Sequence, residues 1–141
     1  MNPQFPLLAP VIALVIWGAV MWAWMYVTRI PAIKASKMVL DGNAPRGEQM
    51  ATLPPQVRWK ADNYNHLLEQ PQLFYAVAIS LAVLGDTSQV SLALAWTYVG
   101  LRVVHSLWQA LVNQILPRFA LFALSSLVLF ALTARAAMRV F

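Results

Sequence analysis

Cysteine is absent from this chain. That excludes a disulfide framework, a thiolate metal site, an iron–sulfur cluster and a cysteine nucleophile, and it leaves the redox compartment unmarked. Charge is nearly as scarce: Asp, Glu, Lys and Arg make up 11% of the 141 residues, against about 25% in soluble domains. With 60% of the residues hydrophobic, an ordinary water-soluble domain is excluded. The sequence also has no glycine-rich phosphate loop, no HExxH, no CxxC and no nucleophile elbow. Ser125-Ser126 has no His/Asp arrangement nearby and reads as helix packing. The net charge of +5 is dispersed, with no basic block of five or more. Anionic lipid headgroups, not nucleic acid, are therefore the expected partner.

What charge there is clusters. Six of the ten Lys/Arg and four of the five Asp/Glu lie between Arg29 and Glu69, leaving the remaining segments almost free of charge. That pattern describes membrane spans around one polar loop. Leu7 to Val27 is 21 residues without a charge, where about 20 suffice for a helix to cross the hydrocarbon. Pro3, Pro6 and Pro10 suit its approach, and Trp17, Trp22, Trp24 and Tyr26 thicken toward its far end as an aromatic belt does. Met1 to Pro10 has no basic n-region, so a cleaved signal peptide is not expected.

The whole of 1–141 then reads as a single all-α membrane domain, an up-down bundle of four transmembrane helices. The spans fall at about 7–27, 57–85, 90–112 and 118–138, with a polar loop at about 28–56. The second span is expected to be one long helix with a kink at Pro71. Basic residues from Arg29 to Lys60 place the loop in the cytoplasm, as does Arg118, while Arg135 and Arg139 count weakly against that orientation. A bacterial inner membrane is the expected location. Four helices around one axis leave little room for a large cavity, so a sizeable ligand site calls for a second protomer.

Ionisable residues inside a span are costly, face the protein interior and often mark function. On the second helix Arg58, Asp62, Asn65, His66 and Glu69 follow steps of three, four and seven, which predicts a shared face. Tyr98, Arg102, His105, Gln109 and Asn113 repeat the pattern on the third. Measured from the turn at Gly85 to Val90, Glu69 lies roughly 24 Å deep, Arg102 roughly 18 Å and His105 roughly 22 Å. At one level they are expected to meet, Glu69 pairing with Arg102 or bonding His105, within a subunit or across an interface. The bland alternative is an ion pair that merely fixes helix register. His66 and His105 also suit axial haem ligation, although two lone histidines select no geometry. No metal is expected.

At these stripes the sequence resembles the MAPEG family, the membrane-associated proteins of eicosanoid and glutathione metabolism, in a bacterial-type form. The likeness covers four spans, a long first loop, short later turns and both stripes. The family's second-helix motif has Arg, Asn four residues later and Glu three beyond, followed by an apolar run with Pro and Phe. Here Asn63-Tyr64-Asn65-His66-Leu67-Leu68-Glu69-Gln70-Pro71-Gln72-Leu73-Phe74-Tyr75 stands in that place, with Glu69 on the family glutamate and Phe74 at the expected distance. His66 then takes the asparagine position and Asp62 the arginine position; Asn65 matches the asparagine if one residue is inserted. Arg58 or Lys60 stands one turn earlier as a replacement cation. Arg102-Val103-Val104-His105 resembles the family's Arg-x-x-His run, and Arg118 falls where related members have the arginine that stabilises the glutathione thiolate.

The resemblance implies a homotrimer with sites between subunits, each holding glutathione as cosubstrate and admitting a lipophilic electrophile or hydroperoxide from the bilayer. Arg118 is then the catalytic residue, and Arg58, Asn65, His66, Glu69, Tyr98, Arg102 and His105 bind the tripeptide. A guanidinium suits the first role because it stays charged and can stabilise a sulfur anion; otherwise Arg118 is a snorkelling anchor. Asp62 at the arginine position keeps open the alternative of a non-catalytic structural or accessory subunit on the same scaffold.

Overall fold

The computed structural model describes residues 4–141, among which every regular element is a helix: α1 (Leu8–Ala35), α2 (Glu48–Ala51), α3 (Pro55–Glu69), α4 (Pro71–Val83), α5 (Gln89–Leu111) and α6 (Ile115–Val140). Pro3 lies outside the described residues. Pro6 and Pro10 flank the start of α1, where a missing N–H costs nothing because the first turn has no intrahelical acceptors. Three helices, α1, α5 and α6, are long and apolar enough to cross a membrane.

Two boundaries differ from expectation. Helix α1 runs to Ala35, beyond the expected limit of the first span, so the polar loop is shorter. Pro31 sits inside this extension and forfeits only one ladder bond. The helix stops where Lys37 takes a positive φ of 52° and the Met38 N–H reaches back to the Ile33 carbonyl. The expected second span is two helices in series. Pro71 opens α4 and cannot donate to the carbonyl one turn back, and α3 ends at Glu69.

Helix α1 packs along α3 and α4, and α5 lies against α6 and α3. Leu7, Leu14, Met21, Phe74, Ala78, Leu81, Tyr98 and Leu129 form the apolar core between them. Ile12, Ile16, Leu127 and Phe130 are instead exposed on α1 and α6, an outer surface suited to lipid.

The α4–α5 turn is built from Gly85 and Asp86. Gly85 takes a φ of 70°, which a glycine adopts without strain, and the Asp86 N–H caps the Leu81 carbonyl. The buried Asp86 carboxylate accepts from the Ser88 N–H at 2.9 Å and from the Ser91 hydroxyl, and Arg139 pairs with it at 3.5 Å. Arg135 donates to Ser91 at 2.7 Å and to Ser88 at 2.9 Å. One clasp therefore joins this turn to the end of α6.

Candidate functional site

The second-helix stripe divides between two surroundings. Arg58, Asp62 and Asn65 line a cavity of about 320 Å³ under α1 and α2, together with Arg29 and Arg46. The Nε atoms of Arg29 and Arg58 are buried there with no hydrogen-bond partner among the described residues. His66, 100° further round from Asn65 by helix geometry, turns toward α5 instead. Glu69 is exposed at the surface of the chain. The expected single face is thus two faces, because steps of three and four drift across about 100° of the helix surface by His66.

On α5 the stripe holds together: Tyr98, Arg102, His105 and Gln109 are all buried. Arg102 is fully enclosed, and its Nη2 donates to the His66 carbonyl at 3.2 Å and lies 3.3 Å from His66 Nδ1. A guanidinium can only donate, so this contact uses the Nδ1 lone pair and puts the neutral ring's proton on Nε2. Within one chain, then, the expected Glu69–Arg102 pair does not form; Arg102 turns to His66 and Glu69 faces outward. The two imidazoles lie close, with ring centroids 4.9 Å apart, and Phe122 of α6 stands edge-on to His66 at 5.2 Å and under the Arg102 guanidinium at 5.9 Å.

Arg118 enters the same region from the first turn of α6. Asn113 ends α5 with a φ of 54°, a conformation that asparagine tolerates better than most residues, and its Oδ1 accepts from Arg118 Nη1 at 2.6 Å. Arg118, His66 and His105 line a cavity of about 280 Å³ with Ile115, Phe119 and Phe122. It is a small cavity with one cation, Arg118, beside two imidazoles and two phenyl rings. A second layer supports it: Tyr98 stacks on Phe74 at 4.6 Å and donates to Gln70 Oε1 at 3.3 Å, while Gln70 Nε2 donates to Ser126 at 2.7 Å.

Gln70, Phe122 and Ser126 were not among the expected site residues. Gln70 had a usable signal, a polar residue between Glu69 and Pro71 at the corner of two helices. Phe122 had none, since one aromatic residue in an apolar span is unremarkable. No group of three or more His, Cys, Asp or Glu fit to hold a metal occurs among the described residues.

The sequence pattern that defines the MAPEG family matches residues 7–138, nearly the whole chain. The chain belongs to the MAPEG family. No curated protein and no solved structure gives a match. MAPEG membership and the three apolar helices together make it an integral membrane protein. Its family is one concerned with eicosanoid and glutathione metabolism. Within that MAPEG frame Phe74, at the distance from Glu69 that the resemblance implied, is a buried platform under Tyr98.

Proposed function

We propose that this protein is a glutathione-dependent membrane transferase or peroxidase acting on lipophilic electrophiles or hydroperoxides. The observation that carries the reading is the convergence of Arg118, His66 and His105 on one small cavity walled by Phe119 and Phe122, with Arg102 enclosed behind His66 and Phe122. Cations held in an apolar setting stabilise an anion far more than they do in water. A thiol entering beside Arg118 is favoured as the thiolate, and its sulfur then attacks an electrophile reaching the aromatic wall from the bilayer. Asn113 holds the Arg118 guanidinium in place. Glutathione carries two carboxylates and one ammonium. Arg58 suits a carboxylate, Glu69 the ammonium and Asn65 a hydrogen bond to the peptide, while Arg102 and Tyr98, both fully enclosed, support the site from behind. Asp62 does not make the region acidic, because it shares its cavity with Arg29, Arg46 and Arg58.

The cavity offers one cation, Arg118, to glutathione's two carboxylates and no carboxylate to its ammonium, and Glu69 is exposed on a span-forming segment, where a charge facing lipid is very unfavourable. A homotrimer answers both points, with α3 and α4 in series forming a fourth span. Glu69 and Asn65 of one protomer then face α5 and α6 of the next. The 28–56 segment faces the cytoplasm in this reading, in a bacterial inner membrane. Titrating glutathione into the purified protein tests it: saturable binding with ultraviolet thiolate absorbance is expected, and the absence of both overturns it.

A further inference from the structure

A polar seam runs between α3 and α5 that neither cavity includes in full. Lys60 Nζ donates to the Gln56 carbonyl at 2.8 Å and to the Ala110 carbonyl at 3.3 Å, Arg102 bonds the His66 carbonyl, and Tyr98 bonds Gln70. These contacts fix an antiparallel register, Lys60 with Ala110, His66 with Arg102 and Gln70 with Tyr98. The same register sets Asn63 opposite Ser106. Yet Asn63 (1% exposed) has neither carboxamide atom bonded among the described residues, and Ser106 (0% exposed) has no partner for its hydroxyl. Gln109 Oε1, next along toward the Lys60 end, and both ring nitrogens of His105, next along the other way, are likewise buried and unpaired.

Buried polar side chains hold hydrogen bonds as a rule, with protein or with ordered water. Four neighbours on one seam, each buried and each with free donors or acceptors, make a site with the polar partners that a water requires. We propose that the Asn63–Ser106 rung binds internal water and that this water links the buried histidine pair to the polar loop end of the bundle as a proton path. A proton taken up transiently by the His105 ring leaves as that ring returns to neutral imidazole, passes to the water at the rung, and that water gives up a proton in turn toward Gln109 and the Lys60 end, where exposed Gln56 meets solvent. No charge is added to that of Lys60 and Arg102 in the seam. The competing arrangement is a dry rung, in which the Asn63 carboxamide rotates onto the Ser106 hydroxyl. The path serves the histidine pair whatever the substrate.

The absence of native cysteine makes the first test clean. Ser106→Cys, a near-isosteric change, gives the full-length protein a single thiol. Its reaction with silver ion in proteoliposomes is read by loss of later maleimide labelling after denaturation. Ala95→Cys, fully buried in the apolar core on the same helix, is the control. Thiols react as thiolates, which an apolar core suppresses, so the Ser106→Cys protein is expected to react about a hundredfold faster than the control. Equal rates mean a dry rung and overturn the proposal. The second test uses the two histidines as the only ¹⁵N-labelled residues. Asn63→Leu is expected to slow hydrogen exchange at the His105 ring by about tenfold, with Ser106→Val doing the same should Asn63→Leu fail to fold. Unchanged exchange in a folded variant shows that protons arrive from the Arg118 cavity instead, and it equally overturns the proposal. Neither readout contains glutathione, so their failure is separate from failure of the proposed function.

Discussion

Arg118 and Asp86 show how little of a charged residue's role follows from its charge alone. Both are ionisable groups at helix ends, and each is held by one specific set of partners. Arg118 is aimed by the Asn113 carboxamide at 2.6 Å, a bond that exists because Asn113 occupies the left-handed conformation closing α5. Arg118→Gln is expected to abolish the glutathione thiolate band and to lower kcat by about 10²–10³-fold, the usual loss for one charge-stabilising donor. Asn113→Ala keeps the cation but frees it, so a smaller loss is expected, with glutathione affinity nearly retained. Equal losses in the two variants contradict a positioning role for Asn113.

Asp86 acts on stability. Burial alone raises its carboxyl pKa, but the Ser91 hydroxyl, the Ser88 N–H, Arg139 and Arg135 outweigh burial and hold it below the ordinary 3.8. The folded state thus binds the carboxylate form more tightly than the unfolded chain does. The stabilisation is complete above the ordinary carboxylate range and is lost as pH falls from there through the lowered folded value. Asp86→Asn is expected to cost about 1–3 kcal/mol at neutral pH. It should also flatten the fall in melting temperature between neutral and strongly acidic solution. An unaltered pH dependence in the variant assigns that fall to other carboxylates.

At the scale of elements, the corner between α3 and α4 organises the site. Pro71 forces the break, and Gln70, freed at the corner, bonds Tyr98 on α5 and Ser126 on α6. Gln70→Leu is expected to cost about 1–3 kcal/mol by leaving the Tyr98 hydroxyl without its acceptor, while Ser126 keeps its bond to the Phe122 carbonyl, and Tyr98→Phe about 0.5–1.5 kcal/mol, since the ring keeps its stacking on Phe74. A double-mutant cycle on thermal melting should show the two costs overlapping; strict additivity contradicts the link.

The helices α1, α5 and α6 are legible from apolar length, whereas Pro71 marks only a kink in one long helix and not the division into α3 and α4. The reach of α1 to Ala35 is not legible either, because Arg29 and Lys34 read as headgroup charges while their stems continue the helix. The α5 stripe is legible because Tyr98, Arg102, His105 and Gln109 are polar in an apolar span. Its partner on α3 is obscured: Lys60 and Asn63 form the buried line, with half-buried Gln70 continuing it at the corner, yet they stand among Arg58, Asp62, Asn65 and Glu69, and polarity alone does not separate the two faces. Which partner Arg102 takes depended on the rotation of α3, and pattern fixed that to no better than a quarter turn.

For the whole molecule, charge placement is consistent with one orientation. Arg135 and Arg139 are the exceptions to a basic loop side, and both are tied into the clasp around Asp86, Ser88 and Ser91 at the opposite end of the bundle. Glu69 is the exception that points outward, and in the proposed trimer it reaches the Arg118 region of the neighbouring protomer. Mixed assembly measures this directly. Homotrimers of Glu69→Gln and of Arg118→Gln are each expected to give no glutathione thiolate absorbance. Co-expressed and purified together, they should regain part of it, because some interfaces then join an intact Glu69 to an intact Arg118. Full silence in verified mixed assemblies contradicts a site shared between subunits and returns Glu69 and Arg118 to separate roles.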